Sequence, residues 1–318
     1  MAFSIGELTT STALEAGFYA VHDVRRLKKK DGSPFLRARL CDATGQAEAV
    51  VWDNLDDAAV AMVIGKVVKV RGQVGRAFSG EGIEITIHRV RLARGDEYSP
   101  DEILPRSNTD ETALKSELQD VIGRLGTPWR EISGAALDAE LRQFASWPGA
   151  AQLHHAWVGG LLEHSLEVAR IADAIANTVP GLNRDLIVSG ALLHDIGKLD
   201  AYAVTTTFEA TDSGRLIGHV LTGYHRVQVA CDLVQAPKDH ALHLLHIIAS
   251  HHGHLEFGAA REPMTAEAIV IHYADELSAQ LMQVRGAVAR RRDSMSRWTE
   301  RVPGLKRDVF VGSPTGEL

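Results

Sequence analysis

Apolar and polar positions alternate over the first hundred residues in short runs that turn signals separate. Alternation over runs of this length, rich in β-branched residues, predicts half-buried β-strands. The predicted strands cover residues 17–24, 34–43, 46–53, 66–74 and 82–92, with turns at Asp31-Gly32, Thr44-Gly45 and Gly80-Glu81-Gly82. A helical insert at 55–62 lies between the third and fourth strands. Three strands, a helix and two strands are the order of an oligonucleotide/oligosaccharide-binding (OB) barrel, which we predict for residues 1–95.

The apolar spacing becomes helical beyond residue 112, and the alternation disappears. Predicted helices cover residues 113–125, 129–146, 159–178, 183–197, 216–235, 239–252 and 265–289, with a hairpin at 203–208. Residues 96–112 are polar, contain Pro100 and Pro105, and lack periodicity, so we predict a linker there. The chain is therefore predicted to be multidomain, with an all-β OB barrel ahead of an all-α domain over residues 113–318.

Charge is divided unequally between these two parts. Residues 14–95 hold 14 Lys and Arg against 10 Asp and Glu, whereas residues 96–318 hold 20 against 30. The net charge of -7 argues against a generic nucleic-acid binder, but the barrel by itself is basic. Cys41 and Cys231 lie too far apart to indicate a disulfide framework or a thiolate zinc site. Free thiols, and the lack of a leader or a membrane-length apolar run, predict a cytoplasmic protein without membrane segments.

One face of the second predicted strand carries side chains suited to a polyanion. Alternation turns its aliphatic residues to one side and Phe35, Arg37 and Arg39 to the other. Stacking on an aromatic ring contributes ~1–3 kcal/mol per base, and Lys or Arg contacts phosphates. We therefore predict single-stranded nucleic-acid binding at Phe35, Arg37, Arg39, Trp52, Lys28 and Lys29. The alternative is that the aromatic rings pack the barrel and the lysines form a solvated hairpin tip.

The most informative segment is residues 192–198, Leu-Leu-His-Asp-Ile-Gly-Lys, where His194 and Asp195 adjoin on an apolar helix. An imidazole and a carboxylate side by side can hold a divalent ion. His164 lies on a helix with an apolar stripe, and Asp275 lies among apolar neighbours, where a buried carboxylate needs a cation partner. These four residues are sufficient for one ion.

A second set of imidazoles comes from His219 and the His251-His252 pair. If Asp195 bridges the two sets, the ions lie ~3.5–4 Å apart, which is the spacing in two-metal phosphoesterases. A hydroxide held between the ions is then the expected nucleophile, attacking the phosphorus in line.

His164, the His194-Asp195 doublet and Asp275 resemble the H...HD...D signature of the HD phosphohydrolase superfamily, which comprises all-helical, metal-dependent hydrolases of phosphate esters. His219 and His251-His252 look like the additions of its two-metal branch. Residues 154–164, 182–185 and 250–258 resemble the YhaM-type 3′-to-5′ exoribonucleases, which place an OB domain ahead of an HD domain. The likeness covers almost the whole chain.

This resemblance implies a metal-dependent 3′-to-5′ exonuclease that hydrolyses single-stranded RNA, and in some members single-stranded DNA, through a metal-bridging hydroxide. It implies two divalent ions, with manganese favoured and iron, nickel or zinc left open by the N/O ligand set. A homo-oligomer is also implied. Two departures bear on substrate preference: Asp275 is followed by Glu276-Leu277 without the usual second acid and Lys, and Ala259-Ala260 replace Ser-Pro.

Several further residues have both a functional and a purely structural interpretation. Lys198, one helical turn from His194, is a candidate to hold a phosphoryl oxygen, or is a lysine that a helix C-terminus favours. Arg184 is either a phosphate contact or part of a surface salt bridge. The basic tail either guides RNA or is a solvated helix end; it comprises Arg290-Arg291-Arg292, Arg297, Arg301, Lys306 and Arg307. His154, His155, His246 and His254 lie near the ligands in sequence, but crowding alone does not make them ligands.

Two other functions remain open. One is a two-metal HD phosphodiesterase acting on cyclic dinucleotides or nucleotides, although the Gly-Tyr-Pro signature of the cyclic-di-GMP branch is absent after His252. The other is a non-catalytic single-stranded nucleic-acid-binding protein. The complete ligand set argues against it, because buried His and Asp without a metal are costly to keep.

Overall fold

A computed structural model describes residues 3–77, 83–107, 109–150, 157–289, 296–302 and 304–312. The chain forms two compact units, the first made of Met1–Arg106 with Val204–Glu209 and the second of Ser107–Ala203 with Ala210–Leu318. The predicted turn at 80–82, the imidazoles of His154 and His155, and the basic run at 290–292 lie outside the described residues.

The first unit is a closed five-stranded barrel with the strand order β1-β2-β3-β5-β4. Its elements are β1 (Ala13–Lys28), β2 (Pro34–Asp42), β3 (Gly45–Val51), α1 (Leu55–Ala61), β4 (Val67–Arg76) and β5 (Ile83–Leu92). All pairs are antiparallel except β3 with β5. This confirms the predicted OB barrel. Strand β1 is twice as long as predicted, because two register shifts let it pair with β4 in its first half and β2 in its second.

Alternation along each strand fills the barrel interior. The aliphatic face of β2 is buried, from Leu36 to Leu40, while Phe35, Arg37 and Arg39 stay partly exposed, as the pattern predicted. The segment predicted to be a linker begins with a short helix, α2 (Pro100–Ile103), and Ile103 is buried against Ala20 and Val67. Because the segment is mostly polar, its sequence did not predict that Ile103 packs in the core of the barrel unit.

The second unit is helical. Its helices are α3 (Glu111–Gly123), α4 (Trp129–Leu137), α5 (Leu141–Ser146), α6 (Gly160–Thr178), α7 (Arg184–Leu193), α8 (Lys198–Ala201), α9 (Asp212–Leu216), α10 (His219–Leu233), α11 (Lys238–Ser250) and α12 (Ala266–Ala289). A two-stranded hairpin, β6 (Tyr202–Val204) and β7 (Phe208–Ala210), lies at the predicted position, and its residues Val204–Glu209 are counted with the first unit. No described helix combines the length and apolar character that a membrane crossing requires.

Three helices are shorter than the sequence predicted. The helix predicted at 183–197 ends at Leu193, and the chain turns before α8 begins. At Gly197 a Cβ would collide with the backbone of His219, so a glycine lets α10 approach this turn. The helix predicted at 216–235 is interrupted at Gly218, whose φ of 82° is left-handed, and α10 begins at the next residue. The helix predicted at 129–146 is divided into α4 and α5.

Candidate metal centre

The seven predicted metal ligands converge at one place in the helical unit. Most of them lie at helix ends, where side chains emerge from the backbone ladder. His194 caps the C-terminus of α7, His219 is the first residue of α10, and His251 caps α11. His164 and Asp275 come from within α6 and α12. Five helices therefore contribute to a single cluster.

One group of ligands surrounds Asp195 Oδ2. His194 Nε2 lies 3.3 Å from this oxygen and 3.3 Å from His164 Nε2. His164 Nε2 also lies 3.1 Å from Asp275 Oδ1. Ligand atoms of His164, His194 and Asp195 all fall within 4.8 Å of one another. These separations suit one cation, because its ligands lie ~2.0–2.2 Å from the ion and correspondingly farther from each other.

A second group faces the other oxygen of the same carboxylate. Asp195 Oδ1 lies 3.3 Å from His219 Nε2 and 3.8 Å from His251 Nε2. His219 Nε2 is 3.1 Å from His252 Nε2, and the three imidazoles offer ligand atoms within 4.8 Å of one another. Asp195 therefore presents one oxygen to each group of histidines. A carboxylate in this position is placed to be shared.

Backbone carbonyls orient three of the imidazoles. The contacts join Nδ1 to a carbonyl oxygen in each case: His194 to Ala191 at 2.8 Å, His251 to Ile248 at 2.8 Å, and His252 to Phe257 at 2.7 Å. An Nδ1–H that donates to a carbonyl leaves the Nε2 lone pair free to bind a metal. All three rings are therefore oriented with Nε2 toward the cluster, as ligands would be.

His164 is oriented differently, through a side-chain relay. Its Nδ1 lies 3.2 Å from Ser278 Oγ, and the Ser278 hydroxyl donates to Glu167 Oε2 at 2.9 Å. Sequence reasoning missed both relay residues. A signal was present, because Glu167 follows His164 by three residues and Ser278 follows Asp275 by three, which places each pair on one helix face.

Burial keeps most of these imidazoles neutral. It lowers the pKa of His164, holds that of His251 well below its ordinary value, and brings the pKa of His219 to about 3. Among the described residues, His251 Nε2 has no hydrogen-bond partner although it is buried. A neutral, buried and unpartnered nitrogen that faces a carboxylate is suited to a cation. The donor set therefore fits a divalent metal.

The charges of the carboxylates act in the opposite direction at His194. Burial alone would lower its pKa, but the charges of Asp195 and Asp275 outweigh burial and raise it. Asp195 is buried and Asp275 half-buried, yet Lys198 and His194 hold the pKa of Asp195 well below its ordinary value, and His164 does the same for Asp275. Both carboxylates are therefore ionised, and a cation between them would take over the role of a proton on His194.

Lys198 lies inside the cluster. Its side chain is buried, and Nζ donates to Asp195 Oδ2 and to the Gly149 carbonyl, each at 2.5 Å. The predicted role was a contact to a phosphoryl oxygen. Both of these contacts are internal, so the ammonium is engaged in holding Asp195.

Arg184 and two of the outlying histidines have partners other than the candidate ligands. Arg184 begins α7 and pairs with Asp173 at 2.6 Å, and the 10 residues of α7 put ~15 Å of helix between it and His194. His246 Nε2 accepts a hydrogen bond from Met264 N–H at 2.8 Å. His254 is exposed and lies 3.9 Å from Glu262.

The predicted nucleic-acid residues of the barrel come together on its outer surface. Phe35 and Trp52 stack with ring centroids 4.9 Å apart, and Lys29 Nζ lies 4.9 Å from the Trp52 centroid. Arg37 and Arg39 both contact Glu48, at 3.3 and 3.4 Å, so the basic face is partly neutralised by an acidic partner. Lys28 is exposed.

Comparisons with known proteins match the two units separately. Residues 20–93 match the family model of the OB-fold nucleic acid binding domain, and residues 161–280 match that of the HD domain. The second OB-fold domain of replication protein A from Methanococcus maripaludis is 24% identical over 31% of this chain and 98% of that chain, with a TM-score of 0.24. The HD domain of L. monocytogenes phosphodiesterase PgpH is 20% identical over 49% of this chain and 74% of that chain, with a TM-score of 0.30. The chain thus carries an OB-fold domain followed by an HD domain.

Proposed function

We propose that this protein is a metal-dependent 3′-to-5′ exonuclease that hydrolyses the phosphodiester bonds of single-stranded RNA. The observation that carries the proposal is the position of Asp195, whose two oxygens face two separate groups of histidines. An HD domain joined to an OB-fold nucleic-acid-binding domain supports a phosphodiesterase whose substrate is a nucleic acid.

The proposed cofactors are two divalent cations that share Asp195. His164, His194 and Asp275 would complete the site at Oδ2, and His219, His251 and His252 the site at Oδ1. Nitrogen and oxygen donors without a thiolate suit manganese, which we propose, as well as iron, nickel or zinc. When bound, such ions supply Lewis acidity at the phosphoryl group and lower the pKa of a water toward neutrality.

The residues around the ligands position them and limit access. The carbonyl contacts at Nδ1 fix the rings of His194, His251 and His252, and Lys198 keeps Asp195 ionised and in place. The side chains of His164, His194 and His251 are at most 1% exposed, whereas those of His219 and Asp275 are each 19% exposed. A substrate phosphate therefore approaches from the side of His219 and Asp275.

Three finer parts of the proposal rest on the resemblance of residues 154–164, 182–185 and 250–258 to the YhaM-type enzymes. These parts are the 3′-to-5′ direction, the preference for RNA and a homo-oligomeric state. Single-stranded binding has its own support, because the stacked pair Phe35 and Trp52 lies on an exposed barrel face beside Lys29.

A nuclease assay tests the proposal. Single-stranded RNA labelled at its 5′ end, the matching DNA and a cyclic dinucleotide are each incubated with Mn²⁺ or with chelator, using wild type and Asp195→Asn. We expect labelled RNA to shorten progressively from its 3′ end only with wild type and Mn²⁺. Release of labelled mononucleotide at the outset would show that hydrolysis proceeds from the 5′ end instead. Hydrolysis of the cyclic dinucleotide without RNA cleavage would identify a different phosphodiesterase.

A further inference from the structure

We infer that the barrel holds a second nucleotide subsite, in a pocket between α1 and strands β4 and β5, beyond the stacked pair Phe35 and Trp52. This inference rests on the proposed binding of a single strand to the barrel. The residues that line this pocket belong neither to the candidate metal ligands nor to the predicted nucleic-acid-binding face. Its occupant is one nucleotide of the strand, with the phosphate at Arg89.

The strand register aligns four outward side chains across the barrel. Leu36 pairs with Val51, and Val51 with Ile87, all three facing inward. The next position along each strand therefore brings Phe35, Trp52 and His88 to one level on the outer face. Arg71 of β4 is the neighbour beyond His88. We call this set, Phe35, Trp52, His88 and Arg71, the outer row; four strands ~4.8 Å apart make it roughly 14 Å long.

A β-bulge lies in the outer row at His88. Arg89 pairs with Arg71 and Ile87 pairs with Gly72, so His88 is the extra residue of β5. Both His88 and Arg89 are exposed, although consecutive residues of a regular strand face opposite sides. At Gly72 a Cβ would collide with the Thr86 carbonyl, so this glycine permits the close strand approach. Bulges re-aim side chains in this manner next to binding sites.

A cavity of about 460 Å³ opens where the outer row meets the bulge. This volume lies within the ~300–1,000 Å³ of small-molecule sites and can hold one nucleotide. Asp53 and Asn54 line it on the α1 side and offer oxygen acceptors to base or ribose donors. The opposite side is basic and comprises Lys69, Arg71, Arg89 and Arg91.

Only part of this basic side is available to a phosphate. Arg71 is paired with Glu15 at 2.5 Å, and Glu97 pairs with Arg91 at 2.6 Å and with Lys69 at 3.4 Å. Among the described residues, the guanidinium of Arg89 has no hydrogen-bond or ion-pair partner, although its backbone pairs with Arg71. A guanidinium can bind a phosphate through two parallel hydrogen bonds. Arg89 is therefore the residue that receives the phosphate, next to the outer row, on whose aromatic rings we expect bases to stack.

Equilibrium binding of a labelled dodecauridylate tests the subsite. Fluorescence anisotropy is measured over a range of salt concentrations in chelator, so that hydrolysis does not interfere. Arg89→Ala is expected to weaken binding severalfold and to reduce the slope of log affinity against log salt by about 0.7, which corresponds to one phosphate contact on a single strand. Arg89→Lys is expected to keep the slope. Lys66→Ala removes an exposed charge outside the pocket and serves as the matched control.

The outcomes separate the subsite from the function on which it rests. Equal slopes for wild type and Arg89→Ala, or equal changes for Arg89→Ala and Lys66→Ala, overturn the subsite while wild-type binding still supports a nucleic-acid substrate. Failure of wild type to bind the oligonucleotide overturns both. An unchanged thermal midpoint shows that Arg89→Ala folds, which is expected because Arg89 is exposed.

Discussion

Lys198 donates from Nζ to Asp195 Oδ2 at 2.5 Å, on the same oxygen that faces His164 and His194. The second contact of the ammonium, to the Gly149 carbonyl, keeps it from turning toward solvent. Asp195 is thereby held between an internal cation and two groups of imidazoles. We therefore propose that Lys198 positions this carboxylate.

Replacing Lys198 by methionine keeps the length of the side chain and removes its charge. Removing one partner of a buried ion pair costs ~3–5 kcal/mol, so the free energy of unfolding in chelator should fall by about this amount. Mn²⁺ should restore part of the loss, because a cation beside Asp195 replaces the missing charge. Urea denaturation measures both values. Lys238→Met, at an exposed position, should stay within ~0.5 kcal/mol of wild type; equal stability of the two variants would contradict the positioning role.

Ser278→Ala breaks the relay from His164 to Glu167. Loss of such an outer hydrogen bond typically weakens metal affinity 10–100-fold, so we expect calorimetric titration of the metal-free protein with Mn²⁺ to show a loss of about this size. Ser278→Thr keeps the hydroxyl and should recover most of the affinity. Ser165→Ala is a matched control, since Ser165 is also buried beside His164 but its hydroxyl has no partner among the described residues. Equal losses of Mn²⁺ affinity in Ser278→Ala and Ser165→Ala would show that altered packing, and not the broken relay, weakens metal binding.

Trp52→Ala removes the larger ring of the stacked pair on the barrel. If a base stacks there, affinity for single-stranded RNA should fall by ~1–3 kcal/mol, and anisotropy titration in chelator measures it. Trp298 and Phe310 form a comparable aromatic pair in the helical unit, with ring centroids 5.0 Å apart and Trp298 53% exposed. Trp298→Ala should leave the affinity unchanged. A Trp52→Ala protein with lower thermal stability but wild-type affinity would show that the ring only packs the barrel.

Both cysteines should be unreactive in the folded protein. Burial raises the pKa of Cys41 to about 12 and that of Cys231 to about 11, so at neutral pH neither forms the nucleophilic thiolate. We expect Ellman's reagent to detect almost no rapid thiol in the native protein and both thiols in guanidinium chloride. One fast equivalent under native conditions would mean that a thiol is more accessible than the structure shows.

The elements that could be predicted from the sequence are those whose periodicity is regular. The alternation along β2 correctly separated Leu36 and Leu40 from Phe35 and Arg37, because a strand's side-chain period is two. The candidate metal ligands could be picked out because His and Asp within apolar helices are unusual, and the structure brings all seven together around Asp195.

Contacts between distant segments could not be predicted in the same way. The end of α7 at Leu193 depends on the approach of α10 to Gly197, which no local pattern records. Lys198 follows that turn, and its contacts to Asp195 and to the Gly149 carbonyl were not predicted from the sequence. The β-bulge at His88 depends on Gly72 in another strand, and the relay at Ser278 depends on how α6 packs against α12.

The sharing of Asp195 by two ions is tested most directly by counting bound metal. Wild type and Asp195→Ala are loaded with Mn²⁺, desalted and analysed for metal per chain, with circular dichroism to confirm that both are folded. Wild type should hold two equivalents, and the variant should lose metal from both sites, because each group of histidines loses a carboxylate oxygen. Retention of both equivalents by folded Asp195→Ala would contradict the shared carboxylate.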